Sequence, residues 1–260
     1  LIRDPYAIYA WHVLKLRPLD PLMKVPDALL RGTVVHRGLE NFISATQHDD
    51  ALVTRERLMA ELDAVLAAEV PWAETRALWR ARLDRVADRF IAGEIARRRI
   101  ARPAALEVRG QATLPDLGFT LTAKADRIDI DESGALHLYD YKTGTPPSEK
   151  EQRHFDKQLL LEAAIATREG FGDLAPSPVA RAVFLGLGGG APEREAPLET
   201  DPLETVWAEL RDLIAAYMDR ARGFTARRAV RAVREPGDYD QLARFGEWDA
   251  TDAPDPREVG

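Results

Sequence analysis

The sequence contains no cysteine, and this absence excludes disulfide bonds, thiol nucleophiles, iron-sulfur clusters and cysteine-ligated zinc within the chain. It also has no apolar run near the roughly 18 residues that a membrane-spanning helix needs, so we expect a soluble protein. A phosphate-binding loop of the Gly-x-x-x-x-Gly-Lys-Ser/Thr type is missing as well, and we predict that this segment does not hydrolyse ATP. Any bound metal must therefore use oxygen or imidazole ligands.

An initiator methionine and a secretory leader are also missing, because the chain opens Leu-Ile-Arg-Asp. We therefore expect a fragment of a longer protein. Its 260 residues are enough for one large domain or at most two, with a substantial core.

The net charge of −7 is distributed unevenly along the sequence. Residues 235–260 hold eight acidic side chains against two arginines, a local charge of −6, which leaves about −1 elsewhere. Two strips are strongly basic: residues 76–102 carry nine arginines against three acids, and residues 220–234 carry six arginines and no acid. Each strip is either a solvated helix face or a nucleic-acid surface, and charge alone leaves both interpretations open.

The periodicity of apolar residues predicts an α/β fold with a helical N-terminal part. Apolar positions at helical spacing, with caps such as Asp4 before Pro5, predict helices at 4–16, 27–46, 54–69, 72–100, 148–168 and 202–222. Alternating or bounded apolar stretches predict strands at 106–114, 119–130, 135–142 and 179–187. Short turns separate the first three strands, which therefore form an antiparallel meander flanked by helices.

Two carboxylates and a lysine are predicted to converge where the second and third strands adjoin. The two-residue period places Asp140 and Lys142 on one face of the third strand and Tyr141 on the other. Counting back from the turn at Ser133 brings Asp126 opposite the vicinity of Asp140. Asp140 and Lys142 alone could be an exposed ion pair, but two carboxylates held together need a neutralising cation. The pattern predicts a divalent-metal site.

Four short motifs follow one another in a specific order. They are Arg31-Gly32-Thr33-Val34-Val35-His36-Arg37-Gly38-Leu39-Glu40, Ala125-Asp126-Arg127-Ile128-Asp129, Asp140-Tyr141-Lys142-Thr143-Gly144 and Gln158-Leu159. The ordered set resembles the RecB-like branch of the PD-(D/E)XK nucleases, and within it the C-terminal nuclease domain of AddB-type subunits of bacterial double-strand-break repair complexes. The resemblance covers nearly the whole chain and implies a restriction-endonuclease-like core with a mixed sheet.

The same resemblance implies a domain organisation. The nuclease domain would cover residues 1–234, with a helical part at about 1–104, a catalytic core at about 105–190 and C-terminal helices at about 202–234. An acidic tail would follow at 235–260.

The resemblance also implies roles for the motif residues. The metal ligands would be His36, Asp126, Asp140 and the backbone carbonyl of Tyr141. Lys142 would be the catalytic lysine, which orients the attacking water or stabilises developing charge, and Gln158 would orient DNA or that water. The ion would be Mg²⁺, with Mn²⁺ as a substitute that imidazole favours. As alternatives, His36 could be a helix residue capped by Glu40 and Gln158 a surface glutamine.

The sequence departs from the family pattern at several positions. Glu162 stands where a tyrosine is usual, and Ala123 where a glycine is usual. Many relatives carry an iron-sulfur cluster, but Asp4 replaces its first cysteine, so the chain resembles a cluster-free branch. Its ends would be held together by packing of Tyr6, Tyr9 and Trp11 against Tyr239, Phe245 and Trp248. Glu107 could be a third site carboxylate or an outward-facing strand residue.

The resemblance implies a metal-dependent deoxyribonuclease, an exonuclease, within a cytoplasmic helicase-nuclease complex that processes double-strand breaks for recombinational repair. Its partners would be DNA and an AddA-type helicase-nuclease subunit. The DNA backbone would follow Arg97, Arg98 and Arg99 or Arg227, Arg228 and Arg231. The alternatives are a non-catalytic DNA-guiding or scaffold module of such a complex and a stand-alone nuclease of the same branch.

Overall fold

A computed structural model describes residues 1–19, 23, 25–188, 193–226, 237–249, 251–253 and 255. The helices are α1 (Pro5–Ile8), α2 (Ala28–Thr46), α3 (Arg55–Glu69), α4 (Ala73–Arg98), α5 (Glu149–His154), α6 (Gln158–Arg168) and α7 (Leu203–Met218). The strands are β1 (Ala101–Leu114), β2 (Phe119–Asp131), β3 (Leu136–Lys142), β4 (Val179–Gly186) and β5 (Glu193–Glu195). The chain divides into two compact units, one of residues 1–24 and 209–260 and the other of residues 25–208. None of the described helices is both long enough and apolar enough to span a membrane.

The first two predicted helices begin with side-chain caps, of which Asp4 was predicted as a cap and Asp27 only as a helix start. The Asp4 carboxylate accepts a hydrogen bond from Ala7 N at 3.0 Å at the start of α1, and Asp27 accepts one from Leu30 N at 2.7 Å at the start of α2. Both satisfy backbone donors that a first helical turn leaves unpaired. The first predicted helix is shorter in α-helical form than expected, since a π-helical turn (Tyr9–Val13) follows α1.

The unit of residues 25–208 contains one five-stranded mixed sheet with the order β1-β2-β3-β4-β5. The strands β1, β2 and β3 form the predicted antiparallel meander, while β4 lies parallel to β3 and is reached through α5 and α6. The short strand β5, which the sequence did not predict, pairs antiparallel with β4. The α/β fold class with a mixed sheet and flanking helices is confirmed.

Helices cover both faces of this sheet, and alternation along β3 decides which residues meet which helices. Tyr139 and Tyr141 pack into the cluster formed with α2, α3 and α4, whereas Leu136 and Leu138 pack into the cluster formed with α6. Because side chains alternate along a strand, Asp140 lies on the α6 side. Burial of the strand on both faces therefore positions a carboxylate toward α6 and the Tyr141 ring toward α4.

The single helix predicted at 148–168 is two helices, α5 and α6, separated at residues 155–157. No proline or glycine lies in this stretch, so the break has no local sequence signal. Asp156 N and Phe155 N both bond to Glu151 O, which closes α5. The second helix then starts at Gln158 and buries Leu159 and Leu160 against the sheet. Packing of α6 on the sheet thus overrides the helical propensity of the linking residues.

The unit formed by residues 1–24 and 209–260 brings the two chain ends together with aromatic side chains. Tyr9 packs on Phe224 with ring centroids 5.8 Å apart, and the Tyr239 hydroxyl donates to Leu16 O at 2.9 Å. Phe245 and Trp248 pack against each other at 5.7 Å. The two chain ends therefore lie in one unit, but these contacts differ from the predicted packing of Tyr6, Tyr9 and Trp11 against Tyr239, Phe245 and Trp248.

Candidate active site

The register of β2 and β3 places Asp126 beside the end of β3. The last paired positions of the two strands are Arg127 and Tyr139, so Asp126 lies one residue beyond them, across from Asp140. Asp126 Oδ2 accepts a hydrogen bond from Tyr141 N at 2.9 Å. The register predicted by counting from the turn at Ser133 is confirmed.

His36 on α2 lies between the backbone of β3 and the Asp126 carboxylate. Its Nε2 is 2.7 Å from Tyr141 O, and since a carbonyl oxygen only accepts, Nε2 donates there. Its Nδ1 is 3.3 Å from Asp126 Oδ1 and 4.0 Å from Glu107 Oε1. In the neutral imidazole, Nδ1 then carries the lone pair and faces two carboxylates, as a metal-binding histidine does.

Glu107 on β1 supplies the carboxylate that the sequence left undecided. It lies between the paired positions Leu106 with Arg127 and Val108 with Ala125, which puts it across from Asp126. Its φ of 49° is in the left-handed region, a conformation that costs about 1 to 3 kcal/mol for a non-glycine residue. From this position the Glu107 side chain forms ion pairs with His36 and Lys124.

The ligand atoms of His36, Glu107 and Asp126 lie within 4.8 Å of one another. Two carboxylates and one imidazole are oxygen and nitrogen donors that suit Mg²⁺ with its retained waters and suit Mn²⁺ somewhat better. The donor set therefore fits a divalent cation. The ligand roles predicted for Asp140 and for the Tyr141 carbonyl stay predictions, because these groups already contact Lys142, Gln158 and His36.

Lys142, Asp140 and Gln158 form a closed polar triangle on the α6 side of the sheet. Lys142 Nζ is 2.8 Å from Asp140 Oδ2 and donates to Gln158 Oε1 at 2.9 Å. Gln158 Nε2 donates to Asp140 Oδ1 at 2.5 Å. The lysine ammonium is therefore held by two partners and has one fixed position, which a group that acts on a reacting atom needs.

Burial and repulsion between carboxylates perturb the acid-base properties of the site. Burial, together with the charge of Asp126, raises the pKa of Asp140 to about 6 against the opposing effect of Lys142 and Gln158. Burial acts to lower the pKa of His36, but Asp126, Tyr141 O and Asp140 outweigh it and the pKa is raised. The part of each shift that comes from neighbouring carboxylates reflects negative charge that a bound cation would neutralise.

Glu162 is a buried acid that holds the Gln158 amide from the other side. Its Oε1 accepts from Gln158 Nε2 at 3.0 Å. Burial raises the pKa of Glu162 to about 8, with the hydrogen bond from Gln158 acting in the opposite direction and the charges of Asp140 and Asp126 adding to the rise. The residue that replaces the usual tyrosine is therefore a polar partner of the site.

Glu162→Gln is expected to change how stability depends on pH. Because the pKa of Glu162 is raised in the folded state, the wild type loses stability as pH rises from its ordinary value of 4.5 to about 8, and the loss is constant above that. Glutamine does not titrate, so the stability of the variant relative to the wild type should rise between pH 4.5 and about 8. Thermal unfolding in chelator measures this difference. Glu74→Gln, on an exposed face of α4, should track the wild type. Parallel curves for wild type and Glu162→Gln would contradict the prediction.

The strip of arginines at the end of α4 belongs largely to the protein interior. Arg97 and Arg98 are only 5% and 4% exposed, and both contact the fully buried Glu94. Arg98 also donates to Thr46 O at 2.5 Å. The prediction that Arg97 and Arg98 bind DNA is corrected. Their guanidinium groups are buried and already bonded to groups of the protein, so they cannot contact a DNA strand. Arg99 is exposed, and Arg227, Arg228 and Arg231 lie outside the described residues.

The buried Glu94 also joins α4 to the strand that carries Asp126. Arg127, with no exposed surface, donates to both Glu94 oxygens at 2.7 and 3.0 Å and to both Asp129 oxygens at 2.6 and 2.7 Å. Sequence analysis named Arg127 and Asp129 only as parts of a motif. The available sequence signal for Glu94 was its position three and four residues before Arg97 and Arg98 in a helix, where oppositely charged side chains pair.

The structure thus brings together six of the residues predicted from the sequence, and adds two more. The six are His36, Asp126, Asp140, Tyr141, Lys142 and Gln158, and the additions are Glu107 and Glu162. A mixed sheet with acidic residues and a lysine at adjoining strand ends defines a class of metal-dependent nuclease core. The chain matches the model of the PD-(D/E)XK nuclease superfamily over residues 5–236. It belongs to this superfamily, whose members use divalent metals.

Several rickettsial proteins are similar to the chain. It is 29% identical over 174 residues to an uncharacterized protein of Rickettsia bellii. It is 28% identical over 181 residues to one of Rickettsia conorii and over 196 residues to one of Rickettsia felis. These matches cover 66 to 72% of this chain but only 21 to 22% of the relatives. The chain therefore spans about a fifth of the length of the curated relatives it matches.

Proposed function

We propose that the chain is a nuclease domain that hydrolyses DNA phosphodiester bonds with a bound Mg²⁺ or Mn²⁺ ion. The observation that carries the proposal is the meeting of Asp126, Asp140 and Lys142 at adjoining positions of β2 and β3. The carboxylates can bind a cation, and the lysine can stabilise negative charge on a phosphate. Held in this arrangement, the two kinds of group can therefore act together on a phosphate.

The cation would be held by His36, Glu107 and Asp126, whose ligand atoms already lie together. When bound, it supplies positive charge that polarises a phosphodiester and makes water a stronger acid. The Nε2 hydrogen bond to Tyr141 O fixes the orientation of the His36 ring. Tyr141 N does the same for the Asp126 carboxylate, so β3 sets the geometry of two ligands through its backbone.

Lys142 would act on the phosphate or on the attacking water. Asp140 and Gln158 keep its ammonium in one place and leave it 29% exposed, so a substrate can approach it. Gln158 in turn has its amide orientation fixed, because Nε2 donates to Asp140 and Glu162 while Oε1 accepts from Lys142. A flipped amide would oppose its NH₂ group to the lysine ammonium.

At the level of the whole protein, we propose an exonuclease subunit of AddB type that works in the cytoplasm with an AddA-type helicase partner in double-strand-break repair. Support comes from the ordered motifs and from the relatives, which are long enough to contain further domains.

Metal-dependent cleavage by the purified protein tests the nuclease proposal. We expect the wild type to degrade end-labelled DNA with Mg²⁺ or Mn²⁺ and not with chelator. Asp126→Ala should weaken Mn²⁺ binding, measured by calorimetry, by about 100-fold or more and abolish cleavage, because it removes a ligand and the acceptor for Tyr141 N. Asp173→Ala, at an exposed position, is the matched control.

The assay is repeated with the parent protein and with its candidate helicase partner, on single-stranded and double-stranded DNA. Cleavage from one end only would support the exonuclease assignment. Absence of cleavage in every metal and with the partner present would overturn the nuclease proposal, and the chain would then be a DNA-guiding or scaffold module.

A further inference from the structure

A cleft of about 560 Å³ opens in the unit of residues 25–208, between α2, α4 and the residues that follow β3 and β4. Its walls carry Arg31 from α2, Arg82, Arg85 and Arg89 from α4, and Thr143 and Gly144 from the loop after β3. Among the residues that the structure describes, no aspartate or glutamate lines it. The cleft is therefore positively charged along its length.

Three of these arginines keep hydrogen-bonding capacity available. Arg82 and Arg85 are exposed and have no ion-pair or hydrogen-bond partner among the described residues. Arg31 Nε is buried without a hydrogen-bond partner in the same part of the chain. Arg89 differs, because its Nη2 donates to Gly186 O at 3.3 Å and so braces the wall formed by the end of β4.

The spacing of the α4 arginines makes them one surface. Residues 82, 85 and 89 are three and seven positions apart, so they share a helix face. Arg80 points elsewhere, since its Nε lies 2.9 Å from Asp63 Oδ1 on α3. Within α4, Arg80 is therefore paired with α3, whereas Arg82, Arg85 and Arg89 line the cleft.

The cleft adjoins the candidate active site through the chain itself. Val35, which lines it, precedes His36, and Thr143 follows Lys142. Two segments of the cleft wall therefore run directly into residues of the candidate active site.

We propose, building on the nuclease function proposed above, that this cleft binds the sugar-phosphate backbone of a single nucleic-acid strand and leads it to the active site. Guanidinium groups that face no carboxylate match phosphate oxygens, with which arginine forms bidentate hydrogen bonds. A cavity of this volume encloses one drug-sized molecule, which is comparable to a short piece of a single strand. A duplex is far wider, since its major groove alone measures about 12 Å.

The recognition is directed to the backbone and not to bases. Among the described residues that line the cleft, the aromatic one is Trp79. Its side chain is 6% exposed and offers no stacking platform of the kind that sequence-tolerant base binding uses. Binding through phosphates alone is independent of base sequence and depends strongly on salt.

Fluorescence anisotropy of a short labelled oligothymidine, titrated with the protein in chelator at several salt concentrations, tests the proposal. For Arg82→Ala/Arg85→Ala we expect the Kd to rise by about tenfold or more. The slope of log Kd against log salt should fall by about 1.4, because each lost phosphate contact on a single strand removes about 0.7. Arg82→Lys/Arg85→Lys should keep nearly the wild-type slope, since the charge remains. Arg80→Ala should behave as wild type.

Two results would overturn the proposal. If Arg82→Ala/Arg85→Ala binds as Arg80→Ala does, the strand does not follow this cleft. If an unlabelled duplex hairpin competes as well as an unlabelled strand, the cleft does not select single strands. Binding is measured without metal, so a protein that fails to cleave DNA but shows the arginine dependence would refute the nuclease function and leave the cleft assignment standing.

Discussion

Lys142→Ala is expected to reduce DNA cleavage by about 10²-fold or more while leaving metal binding close to the wild-type level. The ammonium is held 2.8 Å from Asp140 Oδ2 and 2.9 Å from Gln158 Oε1, and both of these partners lie outside the cluster of His36, Glu107 and Asp126. Removing it deprives the reacting phosphate of a fixed positive charge but leaves His36, Glu107 and Asp126 in place. Single-turnover cleavage and Mn²⁺ calorimetry on the same preparation measure the two effects.

Two further variants separate the charge from the shape of the side chain. Lys142→Met keeps most of the volume and should be as inactive as the alanine variant, whereas Lys150→Ala, at an exposed position on α5, should cleave as the wild type does. Equal activity of wild type and Lys142→Ala in every metal, also with the helicase partner supplied, would leave the lysine without a catalytic role.

Glu94→Ala is expected to lower the free energy of unfolding by about 3 to 5 kcal/mol, because removing one partner of a buried ion pair leaves uncompensated charge. Glu94 is fully buried and its two oxygens serve Arg127, Arg97 and Arg98. Without Glu94, these three guanidinium groups stay buried and lose the carboxylate that they share. Urea unfolding followed by circular dichroism gives the change in free energy.

Asp88→Ala provides the matched control on the same helix. Its carboxylate also pairs with an arginine, Arg55 at 2.9 Å, but its side chain is 82% exposed. An exposed pair contributes about 1 kcal/mol or less, so this variant should unfold near the wild-type midpoint. Comparable losses for the two variants would mean that the buried network does not stabilise the fold more than a surface pair.

The same network predicts a loss of stability in acid. Burial alone would raise the pKa of Glu94, but Arg127, Arg97 and Arg98 outweigh it and lower the pKa to about 2. The contribution is therefore complete above the ordinary pKa of 4.5 and is lost as pH falls from there toward about 2. Glu94→Ala should lack this part of the acid transition.

Much of the candidate site was predictable because it depends on patterns between near neighbours in the chain. The turn at residues 131–134 fixes the register that sets Asp126 across from Asp140, and the two-residue period of β3 separates Lys142 from the Tyr141 ring. Both the register and the alternation depend only on the geometry of one hairpin. Glu107 remained undecided, because its position depends on a left-handed backbone conformation that no glycine signals.

The sequence by itself determined most element types, the antiparallel meander and the convergence of Asp126, Asp140 and Lys142, since these follow from local periodicity and side-chain chemistry. The roles of His36 and Gln158 came from the resemblance of the motifs to a family. Only the tertiary structure decided which arginines are buried and which face the cleft. Arg97 and Arg82 are on one helix and look alike in sequence, but Glu94, Glu193 and the neighbouring Arg127 enclose the first and leave the second free. The partners that make a buried charge tolerable come from remote segments, so burial of charge depends on the folded chain and not on local pattern.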